Sequence, residues 1–172
     1  IIWRWLLDPK VGAINELLLG LGLIDAPIAF LAERIWIWPA LLTIITWNTL
    51  PLVTLTFLAA LQSLPRELIE AAQCDGATKL QTIRHVYLPH LRPAIIVMVL
   101  MSTFWTFNNF VYVWLTTGAG PGLYTNVMAT EVYIKGFIDG RLGYSSAVGI
   151  LMATVMMVFG LIYLRVIAER EF

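Results

Sequence analysis

The apolar residues of the chain are gathered into three long runs that are separated by more polar connections. Residues 35–62 and 94–117 contain no charged residue, and the third run, 144–167, contains a single one. A helix needs about 20 apolar residues, each rising about 1.5 Å, to cross a hydrocarbon core of about 30 Å. The pattern therefore predicts three complete transmembrane helices. Residues 1–7 are predicted to be the end of a further one, because Pro9 stops the helix.

The composition agrees with a membrane protein and narrows its chemistry. Hydrophobic residues make up 59% of the 172 positions and charged residues 13%, and the mean hydropathy is +0.80. The net charge is zero, and no basic block is present that would favour a nucleic-acid partner. The chain opens at Ile1 inside an apolar run, which predicts that it is a piece of a longer polypeptide whose first spans are missing.

The connections on either side of the first and third spans carry weaker helical patterns. The segment after Pro9 is interrupted by glycines and a proline, so an amphipathic helix lying in the membrane interface is predicted from about Ala13 to Leu19. The 118–143 connection begins with a glycine- and proline-rich turn, and a short external helix is predicted around Thr130 to Phe137. We expect neither segment to cross the bilayer.

Residues 63–93 form a polar island between the first two predicted spans, and this island holds both histidines and the only cysteine. Ser63 and Pro65 are typical of a helix start, and apolar residues then recur at three- and four-residue spacing. Asp75-Gly76 is expected to stop this helix, since glycine adopts left-handed dihedrals without a Cβ penalty. The island therefore begins with a short amphipathic helix.

A second short helix is predicted in the same island. Thr78 with Gln81 three residues later has the spacing of a capping box, and Leu88-Pro89 is predicted to end the helix. Six basic residues share the island's side of the membrane against five in longer segments on the other side, which places the island in the cytoplasm by the positive-inside rule. Five tryptophans fall at span ends on the opposite side, as in half of an aromatic belt: Trp3, Trp5, Trp36, Trp38 and Trp114.

The island also carries a motif with a long, defined spacing. EAAQCDGA, followed nine residues after Gly76 by VYLP, resembles the signature loop of permease subunits of bacterial ATP-binding cassette importers, with Val86 in place of the usual isoleucine. TFNNFVYVWLTTGAGP and the last apolar run resemble the sugar-permease branch of that family. Ala119 is a departure, because the family usually has a second glycine at this position.

The resemblance implies an all-α fold, a polytopic transmembrane helical bundle of the type I importer permease kind, with a cytoplasmic helix-turn-helix coupling loop. Its implied partners are a cytoplasmic ATPase dimer, a second permease subunit that is a diverged sister, an extracytoplasmic solute-binding protein and the lipid of a bacterial inner membrane. No cofactor is implied, and ATP hydrolysis belongs to the ATPase. The coupling residues that it implies are Glu70, Ala71, Ala72, Asp75, Gly76, Leu88 and Pro89.

Polar residues inside the spans are candidates for a solute pathway, because unsatisfied polar groups are costly in lipid. Ser102, Thr106, Asn109 and Tyr112 are spaced to share one side of the second span, and Asn108 lies beside them. The alternative is hydrogen bonding between helices, worth about 1 kcal/mol per contact. For the pathway the sequence favours two neighbouring amides and an aromatic ring, with a further amide near the bend expected at Pro51: Asn108, Asn109, Tyr112 and Asn48.

Other kinds of site receive little support. His85 and His90 are five apart with a proline between them and have no carboxylate or cysteine cluster nearby, so a metal or catalytic site is not predicted. A membrane-embedded enzyme would need ionisable residues clustered within the spans. The function that the resemblance implies is an importer permease for a sugar or oligosaccharide. A permease for glycerol phosphate or a polyol, and a non-transporting membrane scaffold, remain as alternatives.

Overall fold

The structure is a computed structural model that describes the backbone of residues 2–171 and the side chains of residues 2–167. Ile1, the first residue of the predicted 1–7 segment, lies outside the described residues. Within these limits every regular secondary-structure element is a helix. The helices are α1 (Ile2–Leu6), α2 (Ala13–Gly20), α3 (Arg34–Gln62), α4 (Arg66–Cys74), α5 (Lys79–Thr82), α6 (Leu88–Phe107), α7 (Phe110–Thr117), α8 (Met128–Tyr133) and α9 (Leu142–Glu171), with π-helical turns at Ile83–Tyr87 and Ile134–Ile138.

Three continuous helices in the described part of the chain are long and apolar enough to cross a bilayer: Arg34–Gln62, Lys79–Phe107 and Leu142–Ile167. In each, no more than 11% of the most apolar stretch is buried against the rest of the chain. Apolar side chains that are not covered by protein are stable where lipid or a neighbouring transmembrane helix covers them.

The second predicted span is wrong in one respect, because residues 94–117 are not one helix. The helix ends at Phe107, and α7 begins at Phe110. Asn109 lies between them with φ −78° and ψ 78°, and its side chain accepts a hydrogen bond from the Tyr112 N–H at 3.2 Å. Asparagine side chains compete with backbone carbonyls for N–H groups and therefore favour helix starts over helix interiors.

The chain divides into two compact units, one formed by Ile1–Trp47 with Thr106–Phe172 and the other by Asn48–Trp105. A small core in the first unit consists of buried Leu7, Ala40 and Ile44. Partly buried Tyr112 packs against it. The other partly buried side chains around this core are Trp3, Ile14, Phe30 and Leu31.

The connection between α1 and α3 is held by two polar side chains. The Asp8 carboxylate accepts from the N–H groups of Lys10 at 2.8 Å and Val11 at 3.2 Å, and these bonds hold the pKa of Asp8 below its usual 3.8. Asn15, which is 2% exposed, donates to Ile28 O and accepts from Ile28 N, both at 2.9 Å. The helix predicted from about Ala13 to Leu19 is present as α2, and Asn15 joins it to Ile28 in the segment that leads to α3.

The 118–143 connection is packed tightly upon itself. Thr125 and Thr130 are fully buried. The Thr125 hydroxyl lies 2.8 Å from the Thr117 hydroxyl and donates to Gly120 O at 2.8 Å. Thr130 accepts from Val127 N at 2.8 Å. The helix predicted around residues 130–137 runs from 128 to 138, as α8 and its π turn.

The same connection approaches α9 closely at one glycine. A Cβ added to Gly136 would lie 2.6 Å from the Ser145 hydroxyl oxygen, and that hydroxyl donates to Val132 O at 2.8 Å. Four aromatic rings pack against one another between α7 and the α8 segment, with centroid separations of 4.8 to 5.9 Å. They belong to Phe110, Trp114, Tyr133 and Phe137. The short distance from position 136 to Ser145 leaves no room for a Cβ, so this position requires glycine.

Candidate functional site

The polar island forms a helical hairpin at the end of α3. The chain leaves α3 after Gln62, buries Leu64 and begins α4 at Arg66, with extended backbone at Pro65. Proline before the first helical residue is favourable because its missing N–H would have no partner within the helix. The predicted start of the first short helix, Ser63 to Pro65, lies one to three residues before the observed one.

The tip of the hairpin ends α4 with a Schellman motif. Gly76 has φ +72°, the Ala77 N–H donates to Ala72 O at 2.9 Å, and the Gly76 N–H donates to Gln73 O at 3.0 Å. A Cβ at Gly76 would meet no atom within 4 Å. Glycine is needed here for the left-handed backbone and not for space, which leaves the outer surface of the tip open.

The second helix of the hairpin starts with the predicted capping box. The Thr78 N–H donates to Gln81 Oε1 at 2.8 Å, and the Gln81 N–H donates to Thr78 Oγ1 at 3.4 Å. Thr82, which is buried, donates through its hydroxyl to Thr78 O at 3.1 Å. These contacts fix the direction in which the chain returns from the tip.

The predicted end of this second helix at Leu88-Pro89 is wrong, because the helix continues from Lys79 to Phe107. A π-helical turn, Ile83–Tyr87, lies directly before Leu88-Pro89, and the Leu88 N–H donates to Ile83 O, five residues earlier. In an α-helix the proline ring would clash with the carbonyl four residues before it. The wider π turn displaces that carbonyl, so the helix passes through Pro89 without ending.

A groove of about 490 Å³ runs between the two short helices of the hairpin. Of the seven predicted coupling residues it brings together Ala71, Ala72, Asp75 and Gly76. The other three, Glu70, Leu88 and Pro89, are exposed and lie outside its lining. The lining residues that were not among the predicted coupling residues are Leu68, Ala77, Gln81, Thr82, His85 and Val86.

Four of the missed residues belong to the second helix, Leu68 lies on α4, and Ala77 lies in the turn between the two helices. The sequence signal for the residues on the second helix was the capping box. Thr78 fixes where this helix begins and therefore which of its faces lies towards α4. Exposed Cys74 lies at the last turn of α4, beside the groove. The groove presents mostly small side chains, so another protein can approach its backbone closely.

The structure does not keep the predicted pathway residues on one helical side. Ser102 and Thr106 lie in the helix that ends at Phe107, whereas Tyr112 belongs to α7. Asn109 caps α7, and Tyr112 packs against the core of its unit, so both have structural roles. Asn108 is exposed between the two helices.

Asn48, in the other unit, is an exposed position of α3. Asn48 and Asn108 are both exposed positions in apolar stretches of the sequence. Polar side chains at such positions usually face a cavity or another helix. Among the residues that the sequence favours for the pathway, these two are the ones that are exposed.

Comparison with known proteins agrees with this architecture. Residues 13–170 match the family of binding-protein-dependent transport system inner membrane components. A probable ABC transporter permease protein of Brucella suis biovar 1 (strain 1330) is 36% identical over 171 residues, which are 99% of this chain and 59% of the relative. The sulfoquinovosyl glycerol transport system permease protein of Agrobacterium fabrum is 33% identical over 173 residues, 99% of this chain and 55% of the relative.

Solved structures show the same helical arrangement. The crystal structure of a bacterial ABC transporter involved in the import of the acidic polysaccharide alginate superposes with a TM-score of 0.85 at 28% identity, over 96% of this chain and 57% of the transporter chain. The chain thus spans somewhat more than half the length of these three relatives. The predicted resemblance to importer permeases and the predicted all-α permease fold are confirmed. Since the match extends from residue 13 to residue 170, the chain belongs to the family of binding-protein-dependent transport system inner membrane components.

Proposed function

We propose that this chain is part of the permease subunit of an ATP-driven, binding-protein-dependent importer, and that its polar island couples the pathway to a cytoplasmic ATPase. The island and the C-terminal end of the chain then face the cytoplasm of a bacterial cell. The family match and the three apolar helices support a place in the inner membrane. The bias of basic residues supports the orientation.

The continuity of the helix Lys79–Phe107 carries the proposal. Its 29 residues extend about 43 Å at 1.5 Å per residue, from the tip of the hairpin into the apolar run that begins at residue 94. A displacement of the tip is then transmitted along one helix into the membrane. The capping box at Thr78 and the Schellman motif at Gly76 make the tip stiff.

The groove and the exposed tip support docking into a cleft of the ATPase. Ala71, Ala72 and Gly76 let a partner approach the backbone, and the exposed Glu70 offers a charged contact on the same helix. Closure of an ATPase dimer would move the docked hairpin, and α6 would tilt with it. ATP hydrolysis remains with the partner, and this chain contributes the docked hairpin that transmits the motion and a part of the pathway.

The proposed solute is a sugar or oligosaccharide. Relatives are named as permeases for sulfoquinovosyl glycerol, diacetylchitobiose and trehalose/maltose. All three names denote solutes rich in hydroxyl groups, and amides such as those of Asn48 and Asn108 can donate to and accept from hydroxyls. Uptake of radiolabelled sugars by the reconstituted full-length complex tests this class, and glycerol phosphate and polyols serve as competing solutes.

Two further partners complete the proposed importer. One structural neighbour is an alginate transporter in complex with a periplasmic protein that carries an alginate pentasaccharide, which supports an extracytoplasmic solute-binding protein as a partner here. The uncovered apolar faces of the spanning helices support a second permease subunit, a diverged sister, as the other. Lipid would cover the remainder of these faces.

The decisive experiment compares two glycines that have the same left-handed backbone conformation. Gly76 has φ +72° and Gly140 has φ +67°, and a Cβ at either would meet no atom within 4 Å. Gly76→Val and Gly140→Val in the full-length permease therefore impose a similar backbone cost, about 1–2 kcal/mol. We expect Gly76→Val to lose co-purification of the ATPase and solute uptake, and Gly140→Val to retain both. Equal behaviour of the two variants contradicts the coupling role.

A second pair separates charge from backbone shape. Glu70 and Glu16 are both exposed glutamates on short helices, and only Glu70 lies on the polar island. Glu70→Lys is expected to weaken ATPase binding at physiological salt, while Glu16→Lys leaves it unchanged. Intact ATPase binding in Glu70→Lys would remove Glu70 from the proposed contact.

A further inference from the structure

His90 makes a long-range polar contact within the unit Asn48–Trp105. Its Nε2 atom lies 3.0 Å from the carbonyl oxygen of Ala60 and 3.1 Å from the hydroxyl oxygen of Ser63. The first pair is 30 positions apart in sequence. Ala60 is in the last turn of α3, and His90 is in the first turn of α6. The contact therefore bridges the two long helices where the polar island joins them.

The proton positions follow from the chemistry of the three groups. The Ser63 hydroxyl donates to Ala60 O at 2.8 Å. A carbonyl oxygen can only accept, so Nε2 of His90 carries a proton and donates to Ala60 O. Because the Ser63 proton is already engaged, its hydroxyl oxygen can accept from the same Nε2–H. The imidazole thus donates to a carbonyl and a hydroxyl that already bond to each other.

The end of α3 explains why a side chain is needed there. The backbone N–H of Leu64, which an α-helix would direct to Ala60 O, donates instead to Leu61 O at 3.2 Å. The last carbonyls of a helix have no partner within the helix and are satisfied by side chains, water or tighter turns. At Ala60 the donors are the side chains of Ser63 and His90.

The other histidine provides an internal comparison. His85 contacts Gln81 O through Nδ1 at 3.0 Å, four residues earlier along its own continuous helix. That contact stays within one helix and connects nothing across the hairpin. The two histidines of the chain therefore differ in what they join, although both lie on the polar island.

We propose that His90 is a positioning residue that caps the C-terminal end of α3. It thereby holds together the two stems of the polar island, which are the last turn of α3 and the first turn of α6. A tip that moves with joined stems transmits its motion to α3 and α6 as a single body. Without the cap, α6 follows the tip while the end of α3 frays. This inference rests on the proposed coupling function, and its structural part can be measured without transport.

The structural part is tested by hydrogen exchange in the full-length permease within its complex. We expect His90→Leu to accelerate exchange of the Ser63 and Leu64 amides about fivefold, the equivalent of one net hydrogen bond. His90→Gln, whose amide nitrogen reaches about as far as Nε2, should keep the wild-type rate, and the shorter His90→Asn should not. His85→Leu is the matched control and should leave these amides unchanged. Unchanged exchange in both His90→Leu and His90→Asn overturns the cap.

The functional part is tested by the amount of solute taken up per ATP hydrolysed in proteoliposomes. We expect this ratio to fall in His90→Leu while ATPase binding persists, and to recover in His90→Gln. Faster exchange with an unchanged ratio would make the cap purely structural and overturn the positioning role. A wild-type complex that binds no ATPase, or shows no ATP-dependent uptake, would instead contradict the proposed function, and the exchange result would still decide the cap.

Discussion

The polar island and the 118–143 connection are built from similar parts but are packed differently. Each contains a short helix that passes into a five-residue π turn, Ile83–Tyr87 in the island and Ile134–Ile138 in the connection. In the island the π turn continues into α6. In the connection it ends the helix, and the Asp139 N–H donates to Ile134 O at 2.9 Å.

The 118–143 connection is also more deeply buried than the polar island. Ala119, Thr125 and Thr130 in the connection are each 0% exposed, whereas the most buried residues of the island, Leu64 and Thr82, are 7% and 8% exposed. The connection satisfies its polar groups internally and fills its own space. The island uses its polar groups to fix the backbone and leaves a groove uncovered. A segment that is rigid in its backbone and open at its surface suits contact with another protein.

The largest effect on stability is expected at the closest approach within the connection. Gly136→Ala places a methyl group 2.6 Å from the Ser145 hydroxyl oxygen, and such overpacking costs about 1–3 kcal/mol. Gly143→Ala is the matched control, because a Cβ there meets no atom within 4 Å. Denaturant unfolding of the solubilised full-length permease should show a lower midpoint for Gly136→Ala alone. Equal midpoints would mean that the connection is looser than its packing indicates.

A smaller loss is expected when a buried hydroxyl of the connection is removed. Thr130→Val keeps the shape of the side chain but leaves the Val127 N–H and the Asn126 side chain without the bonds at 2.8 and 2.6 Å. An unsatisfied buried group costs about 1–3 kcal/mol, and we expect the lower half of this range because Asn126 and Val127 are only partly buried, so water can replace part of the lost bonds. Thr103→Val, whose exposed hydroxyl bonds only within its helix, is the control. The unfolding midpoint distinguishes the two.

In the island, removing a cap should reduce stability less and affect partner binding more. Thr78→Ala eliminates the bond from Gln81 N at 3.4 Å and the bond to Gln81 Oε1, and the loss of an N-cap costs about 1 kcal/mol. We expect Thr78→Ala to decrease ATPase co-purification more than Thr130→Val does, even though Thr78→Ala lowers the unfolding midpoint less. The reverse order would remove the contrast between the two regions.

The smallest effect concerns the one ion pair among the described side chains, which lies in the connection. The carboxylate of Asp139, 2.8 Å from the Lys135 ammonium, raises the pKa of that ammonium above its usual 10.5. A raised pKa in the folded state gives stability that is complete below pH 10.5 and is lost as the pH rises through the folded value. Both groups are solvent-accessible, so high salt should weaken the effect. Asp139→Asn should remove this pH dependence, which unfolding measurements at alkaline pH can detect.

The features of the hairpin that the sequence predicted correctly are short-range. The stop at Gly76 and the cap at Thr78 depend on residues within four positions of each other, and each has a single favourable backbone geometry. The helices predicted near Ala13 and Thr130 likewise follow from the local sequence, as stretches of mixed polarity next to glycine- and proline-containing turns. Such local preferences can be read without knowledge of the packing.

The errors concern places where two local preferences compete. Apolar character predicted a single helix through Asn109, but its side chain captures the Tyr112 N–H and starts a new helix. Proline predicted a helix end at Pro89, but a π turn accommodates the ring. The approach of Gly136 to Ser145 depends on where two separate helices meet, which periodicity within either one does not specify.

Cys74 makes the state of the island observable by chemistry. It is the sole cysteine of the 172 residues, it is exposed, and it belongs to the last turn of α4 at the tip. Its rate of reaction with a maleimide reports whether the tip is free or covered. In a background in which any other cysteines of the complex are replaced, this native thiol would follow docking through the nucleotide cycle without altering the hairpin.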